Sequence, residues 1–342
     1  MDINNKIKFA VVGVGNIGKR HIDVISKNAN CELVAICDIK ELNDNTLDKY
    51  QYFNSIDTLL TSNIDIDVIN ICTPNGLHYE QSKKALLTNH HVICEKPMVL
   101  KSKEASELIA ISRKTKKNIA CVMQNRFSPS SIWLKQMIDN NLLGNIFMIQ
   151  VNCFWNRDNR YYTNDNWRGT NDMDGGSLFT QFSHFIDMIY WVFGDISNFK
   201  GIFKDFNHKN LTEFEDSGIV TFDIKKGGIG TLSYSTSVYD KNLESSITVI
   251  GENGSLKITG QYMNEVAYCN IKNYSMPKLA KTNPPNEYGS YSGSAANHEF
   301  VIENMVKTLQ NKEFSTQSAM EGKKVVEIIE NIYKVRNRSF RK

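Results

Sequence analysis

The 342-residue sequence lacks any real surplus of charge: 40 Lys and Arg stand against 37 Asp and Glu, a formal charge of +3. So small an excess supplies no field to hold a phosphate backbone or an anionic membrane surface, which removes nucleic acid and membranes as expected partners. Also missing is an apolar run of about 18 residues, the least that a membrane helix needs. The best stretch, Phe182–Phe193, is broken by His184 and Asp187. The start, MDINNKIKFAVVGVG, runs a short apolar stretch straight into glycines, without the longer apolar region and small-residue cleavage site of a signal peptide. The seven cysteines form no C-x-x-C pair, and Cys37, Cys72, Cys94, Cys121 and Cys153 fall in or beside apolar β-like runs. Reduced, buried thiols in a cytoplasm are therefore expected, and no metal site. No internal repeat and no low-complexity segment occurs. What remains is ordinary globular usage, 41% hydrophobic and 23% charged, in a length that predicts about two domains.

Up to residue 124 short Val/Ile-rich runs alternate with amphipathic stretches. Ile7–Val12, Cys31–Cys37, Val68–Cys72, Val92–Cys94 and Ile119–Met123 read as strands, and Ile17–Lys27, His78–Thr88 and Lys103–Lys116 as helices. Fully apolar strands alternating with helices predict a parallel sheet covered on both faces. After Arg126 the pattern changes. A helix (Pro129–Asn140), a strand (Ile146–Phe154), a polar aromatic loop (Asn156–Asp174) and a helix (Ser177–Phe193) precede period-two strands. Asp216–Ile224 and Gly230–Val238 flank Lys225-Lys226-Gly227-Gly228, while Ser246–Ile250 and Ser255–Thr259 flank Glu252-Asn253-Gly254, and both spacers have hairpin chemistry. Residues 271–296 gather Pro277, Pro284, Pro285 and Gly289 with Tyr288 and Tyr291, too long for an idle connection. Helices Asn297–Leu309 and Thr316–Val335 close the chain. The expected fold class is α/β: a dinucleotide-binding domain over 1–124, then an α+β domain with a largely antiparallel open sheet over 125–342, whose last helix can pack back on the first domain.

The first strand runs into Gly13-Val14-Gly15-Asn16-Ile17-Gly18 and then a helix. In that context Gly13 makes the tight turn, Gly15 admits a pyrophosphate to the backbone, and Gly18 lets helix and strand pack closely, the Rossmann arrangement. The helix N-terminus, from Asn16 and Ile17, offers N–H groups and positive dipole to phosphates. Asp38, twenty residues beyond Gly18, ends the second strand, where a carboxylate accepts ribose hydroxyls and repels a 2'-phosphate. NAD is favoured over NADP. The loop Cys72-Thr73-Pro74-Asn75-Gly76-Leu77-His78 follows another strand, so Thr73, Pro74, Asn75 and His78 are placed to line the nicotinamide half; Thr73 or Asn75 is equally able to cap the next helix, and His78 to pack. Cys94-Glu95-Lys96-Pro97 again follows a strand. A buried lysine there has a lowered pKa and can exchange a proton with a hydroxyl being oxidised, although an isolated Glu–Lys pair is more simply a solvated one.

The segments AVVGVGNIGKRH, CTPNGLHYE, CEKPMVL and DGGSLFTQFSHFID, spread over essentially the whole chain, resemble the glucose-fructose oxidoreductase, inositol dehydrogenase and related (Gfo/Idh/MocA) NAD(P)-dependent oxidoreductases. The resemblance implies that Lys96 and His184 flank the reacting sugar hydroxyl and that Glu95 lies with the cofactor-binding residues. Read in its own right, the second-domain helix puts Thr180, His184 and Met188 on one face, with Phe182, Phe185, Ile186 and Ile189 apolar. Many members carry Asp four positions before the His, where this chain has Thr180; Asp187 reads as a structural partner. Arg157, Arg160, Tyr161, Trp167, Arg168, Thr180, Gln181, Tyr288, Tyr291 and Asn297 further resemble the subgroup that oxidises UDP-N-acetylglucosaminuronate at C3 in bacterial surface-polysaccharide synthesis. Physically, arginines among aromatic rings suit a diphosphate, a carboxylate and a flat uracil, and equally suit an oligomer interface. The resemblance implies a homo-oligomer and, for some members, re-oxidation of bound NADH by 2-oxoglutarate. A free-sugar or inositol dehydrogenase and a non-catalytic dinucleotide sensor are the alternatives. Lys6, Lys8 and the tail RNRSFRK read as solvated surface.

Overall fold

The computed structural model describes residues 6–42, 44–162, 167–289, 291–310 and 317–339. The chain divides into two compact units, one of residues 1–123 and 298–326, the other of 124–297 and 327–342. The expected tail beyond Ser339 and the start of the last expected helix at Thr316 lie outside the described residues.

The first unit opens β1 (Ile7–Val12), α1 (Asn16–Lys27), β2 (Cys31–Cys37), β3 (Gln51–Phe53), α2 (Ile56–Leu60), β4 (Val68–Ile71), α3 (His78–Leu87), β5 (His91–Cys94), α4 (Ser102–Thr115) and β6 (Ile119–Cys121). Its six strands pair in parallel in the order β3-β2-β1-β4-β5-β6. Residues of β1, β4 and β5 are almost all buried, because helices cover both faces of a parallel sheet. The order reverses between β1 and β4, so the loops leaving these two strands form the crevice where such sheets take ligands.

The second unit contains α5 (Pro129–Asp139), β7 (Ile146–Phe154), α6 (Asn159–Tyr162), α7 (Ser177–Thr180), α8 (Ser183–Phe193), β8 (Ile196–Lys204), β9 (Ser217–Ile224), β10 (Ile229–Ser235), β11 (Glu244–Gly251), β12 (Gly254–Thr259), β13 (Glu265–Ile271), β14 (Pro285–Glu287) and β15 (Ser292–Ala295). The seven-stranded sheet runs β13-β12-β11-β7-β10-β9-β8, antiparallel except between β7 and β10. Val151, Cys153, Val220, Phe222, Leu232, Tyr234, Ile247 and Val249 are buried, whereas the neighbouring row Ile250–Met148–Ile229 and the pair Ile202–Ile219 stay 41% to 66% exposed on the opposite face. That alternation marks a sheet covered on one side only. The hairpin spacers behave as their glycines require: Gly227, Gly228 and Gly254 all take positive φ. The chain ends in α9 (His298–Leu309) and α10 (Ala319–Ser339), and a Cβ on Gly322 of α10 would come within 3.0 Å of Cys121 and Met98 in the first unit.

Two expectations need correction. The helix expected over Ser177–Phe193 is two pieces, α7 and α8, separated at Gln181 and Phe182, so Thr180 and His184 do not share one helix face. Gln181 there gives its side chain to Arg157 and Tyr161 instead of continuing the helix. The basic tail is not wholly solvated either: Arg336 is 15% exposed and pairs with the buried Glu215, which also accepts from Tyr234. Removing one partner of a buried pair strands a charge.

Candidate functional site

In the first unit the glycine loop meets each requirement of a phosphate cradle. Gly13 has φ +90°, and a Cβ there would sit 2.8 Å from the Cys72 carbonyl and 2.9 Å from the Thr73 methyl. A Cβ on Gly18 would collide with the Gly13 carbonyl. On Gly15 it would meet nothing within 4 Å, and Gly15 and Asn16 are exposed at the start of α1, where unpaired N–H groups and the helix dipole favour an anion. Asp38 ends β2 with one carboxylate oxygen 2.7 Å from the Val14 N–H and the other 2.9 Å from the Lys40 N–H. Each oxygen keeps lone-pair capacity for a ribose hydroxyl, and the exposed Ile39 follows it. These residues fit a dinucleotide.

The loop after β4 is organised by His78, which is buried with Nδ1 2.8 Å from the Pro97 carbonyl and Nε2 2.9 Å from the Thr73 carbonyl. Burial pushes this imidazole down, against the pull of the two carbonyls. His78 thus ties the Thr73-Pro74-Asn75 loop to the Glu95-Lys96-Pro97 loop. The position before α3 is Leu77, without a side-chain cap, and the Thr73 hydroxyl donates to Gln81. Lys96 is half-buried at the end of β5, and its N–H donates to Glu95. The Glu95 carboxylate also meets His21 at 3.0 Å.

In the second unit the expected substrate residues come together around Tyr161. The Arg157 guanidinium lies 5.3 Å from that ring, 4.9 Å from Tyr291 and 4.9 Å from Trp155, while Arg168 stacks 4.8 Å from Tyr161 and 4.8 Å from Trp167. Tyr291 meets Tyr161 edge-on and Tyr288 at 5.0 Å. Gln181 accepts from Arg157 and donates to the Tyr161 hydroxyl. Arg157 is 2% exposed, and its remaining donors go to the Asn156 and Ser292 carbonyls and Asn242. All of these acceptors are neutral; among the described residues no carboxylate pairs with this buried cation. Arg160 lies at the rim, bound to Asp158 and Asp240. Thr180 donates to the buried Asp174, which also accepts from the Gly169 N–H. Asn297 donates to the Gln124 carbonyl and the Ser128 hydroxyl.

His184, at the start of α8, is 3% exposed with Nε2 3.2 Å from the Gln124 amide. Sequence reasoning passed over Gln124-Asn125-Arg126, which is buried and carries a two-point ion pair: Arg126 binds Asp187 through Nε at 2.8 Å and Nη2 at 2.5 Å. Asp187 is a structural partner, fastening α8 beside its histidine. Asp187→Ala takes the carboxylate from this buried guanidinium, and denaturant titration should show a loss of about 3 to 5 kcal/mol.

The profile of the oxidoreductase family with NAD-binding Rossmann fold matches residues 7–123, and that of the GFO/IDH/MocA C-terminal domain matches residues 132–257. Over 98% of this chain the fold is similar to two WlbA dehydrogenases solved with NADH and UDP-GlcNAcA. The Bordetella pertussis enzyme has TM-score 0.86 and 26% identity over 98% of its own length. The Chromobacterium violaceum enzyme has TM-score 0.86 and 29% identity over 95% of its length. The glucose-6-phosphate 3-dehydrogenase of Bacillus subtilis is 25% identical over 95% of both chains. A glycine loop, an aspartate closing the next strand and a parallel sheet in one unit, a one-sided open sheet in the other, and both matching profiles establish that the chain belongs to the Gfo/Idh/MocA family of NAD-dependent oxidoreductases.

Proposed function

We propose that the protein oxidises the 3-hydroxyl of UDP-N-acetylglucosaminuronate to the 3-keto sugar, a step in making bacterial surface polysaccharide such as the O-antigen of lipopolysaccharide. The observation that carries this reading is the buried Arg157, whose charge meets only neutral acceptors among the described residues, with a second guanidinium, Arg168, on the same tyrosine. Buried charges are ordinarily paired, so this arrangement suits an anionic ligand. Arg157 supplies field from below and the half-buried Arg168 supplies contact. The surrounding rings of Tyr161, Trp167, Tyr288 and Tyr291 suit a flat base, which distinguishes a nucleotide sugar from a simple sugar phosphate. Both WlbA relatives were solved with such a sugar.

Gly13, Gly15, Asn16, Ile17, Gly18 and Asp38 hold the dinucleotide, with Thr73, Pro74, Asn75, His78 and Glu95 beside its reactive half. When bound, NAD supplies the acceptor for the electron pair leaving C3. Lys96, as the neutral amine, takes the proton of the 3-hydroxyl. His184 orients that hydroxyl, its ring held by Gln124. Arg168 and the aromatic rings anchor the distant half of the substrate, with Arg160 at the rim. The exposed rows Ile250–Met148–Ile229 and Ile202–Ile219 suit contact with a second copy of the chain in a homo-oligomer. Six buried cysteines, with Cys31, Cys37 and Cys94 pushed up to about 12 by burial, suit the reducing cytoplasm. Among the described residues no helix is long and apolar enough to cross a membrane.

Incubation with NAD and, in parallel, UDP-N-acetylglucosaminuronate, UDP-N-acetylglucosamine, glucose 6-phosphate and inositol tests the reading. A lost charge-assisted contact is worth about 1.5 to 3 kcal/mol, so the uronate should react at least about tenfold faster than the others. Faster reaction of inositol would transfer the chain to the free-sugar dehydrogenases. No NADH from any sugar would leave a dinucleotide sensor.

Two smaller expectations accompany it. Asp38→Ala should erode the preference for NAD over NADP, because the carboxylate that repels a 2'-phosphate is gone; equal affinities in the wild type, by calorimetry, would refute that role. If NADH stays bound between turnovers, 2-oxoglutarate added to reduced protein should yield 2-hydroxyglutarate, and mass spectrometry finding none would show another route of re-oxidation.

A further inference from the structure

Glu95, beside Lys96, is 5% exposed; burial pushes its carboxyl up, and the neighbouring His21 and His298 hold it well below the usual carboxylate range. Its Oε1 lies 3.0 Å from His21 Nε2 and 3.6 Å from His298 Nε2, and its Oε2 accepts the Lys96 N–H at 3.1 Å. Both imidazoles are wholly buried and meet edge to face, with centroids 5.4 Å apart. Asn70, also wholly buried, holds the far nitrogen of His21 at 2.8 Å. Among the described residues neither ring nitrogen of His298 has a hydrogen-bond partner, since 3.6 Å is beyond bonding reach, a cost of about 1 to 3 kcal/mol for each that simple packing does not explain.

The three side chains come from elements with separate duties in the same unit. His21 lies on α1, which begins at the glycine loop; Glu95 ends β5; His298 opens α9, which packs on α1. A carboxylate bonded to His21 and backed by the buried His298 ring has little room to rotate, which restrains the peptide unit it holds, that of Lys96.

We propose that His21, Glu95 and His298 are positioning residues: a buried carboxylate bonded to the His21 imidazole and packed against that of His298 fixes the Lys96 peptide and delivers its amine to the substrate hydroxyl in one orientation. This rests on the proposed role of Lys96. Displacing a catalytic group by about 1 Å can cost about 10²-fold in rate, which sets the scale of the effect.

Amide exchange of Lys96 tests the clamp without any substrate. In His298→Asn and His21→Asn the Lys96 amide should exchange at least about tenfold faster while the β1 amides of Phe9 and Val11 keep their protection, since about 1.4 kcal/mol of local grip is a factor of ten. In turnover the same variants should lose about 10- to 100-fold in kcat with KM for NAD nearly unchanged. Glu95→Gln keeps an acceptor for the Lys96 N–H and should retain more kcat than Glu95→Ala. Unchanged Lys96 exchange, or equal loosening of the whole sheet, would overturn the clamp. So would stoichiometric zinc in the purified protein that is lost in His298→Asn, which would reassign the three residues as metal ligands. A wild type that turns over no sugar would refute the functional reading while leaving the exchange result to decide the clamp.

Discussion

Lys96→Ala should give a folded protein that binds NAD normally and turns over about 10² to 10⁴ times more slowly, the usual worth of a positioned acid–base group. Folding should survive because the side chain is half-buried and the contact that organises the loop, from its backbone N–H to Glu95, does not involve it. NAD affinity should survive because the glycine loop and Asp38 lie on other strands. NADH fluorescence titration and steady-state rates separate the two. Undiminished turnover would move the base elsewhere, with His184 next to test, and a loss of NAD affinity equal to the loss of rate would make Lys96 a binding residue.

The second large effect is expected from shortening the substrate. If Arg168 and the rings of Tyr161, Trp167, Tyr288 and Tyr291 grip the nucleotide half, binding energy far from C3 places the reacting hydroxyl. N-Acetylglucosaminuronate without the UDP group forfeits those contacts. At about 1.5 to 3 kcal/mol for each charge-assisted bond, losing two lowers kcat/KM by about 10² to 10⁴-fold. Arg168→Ala should reproduce part of this, about 10- to 100-fold on the UDP-sugar, with NAD affinity unchanged. Arg160→Ala should cost less, because that guanidinium is already bound to Asp158 and Asp240. Equal kcat/KM for the free and UDP-linked sugars would return the arginines to an interface role.

The dinucleotide half was legible because Gly13 and Gly18 answer to steric demands that only glycine meets. A positive φ at Gly13 and the collision of any Cβ on Gly18 with the Gly13 carbonyl are fixed within six residues of chain. Strand β3 was missed because three half-exposed residues at a sheet edge carry no apolar pattern. β8 was missed because Asn198, at φ +55°, interrupts its alternation with an irregular register. The break between α7 and α8 escaped a reading by periodicity, since LFTQFSHFID is apolar enough to continue as helix and only the distant Arg157 diverts Gln181. Arg336 looked like tail because its partner Glu215 is 121 residues away. Single buried polar residues such as His21, Gln124 and Arg126 have no period at all; only the fold shows what they face.

The most direct test of the account is a primary isotope effect. UDP-N-acetylglucosaminuronate deuterated at C3, and separately at C4, should be compared with unlabelled substrate in kcat/KM, with the label followed in the product. The account predicts slower reaction and loss of label only for the C3 deuterated sugar; an isotope effect and loss of label at C4 with none at C3 would contradict it.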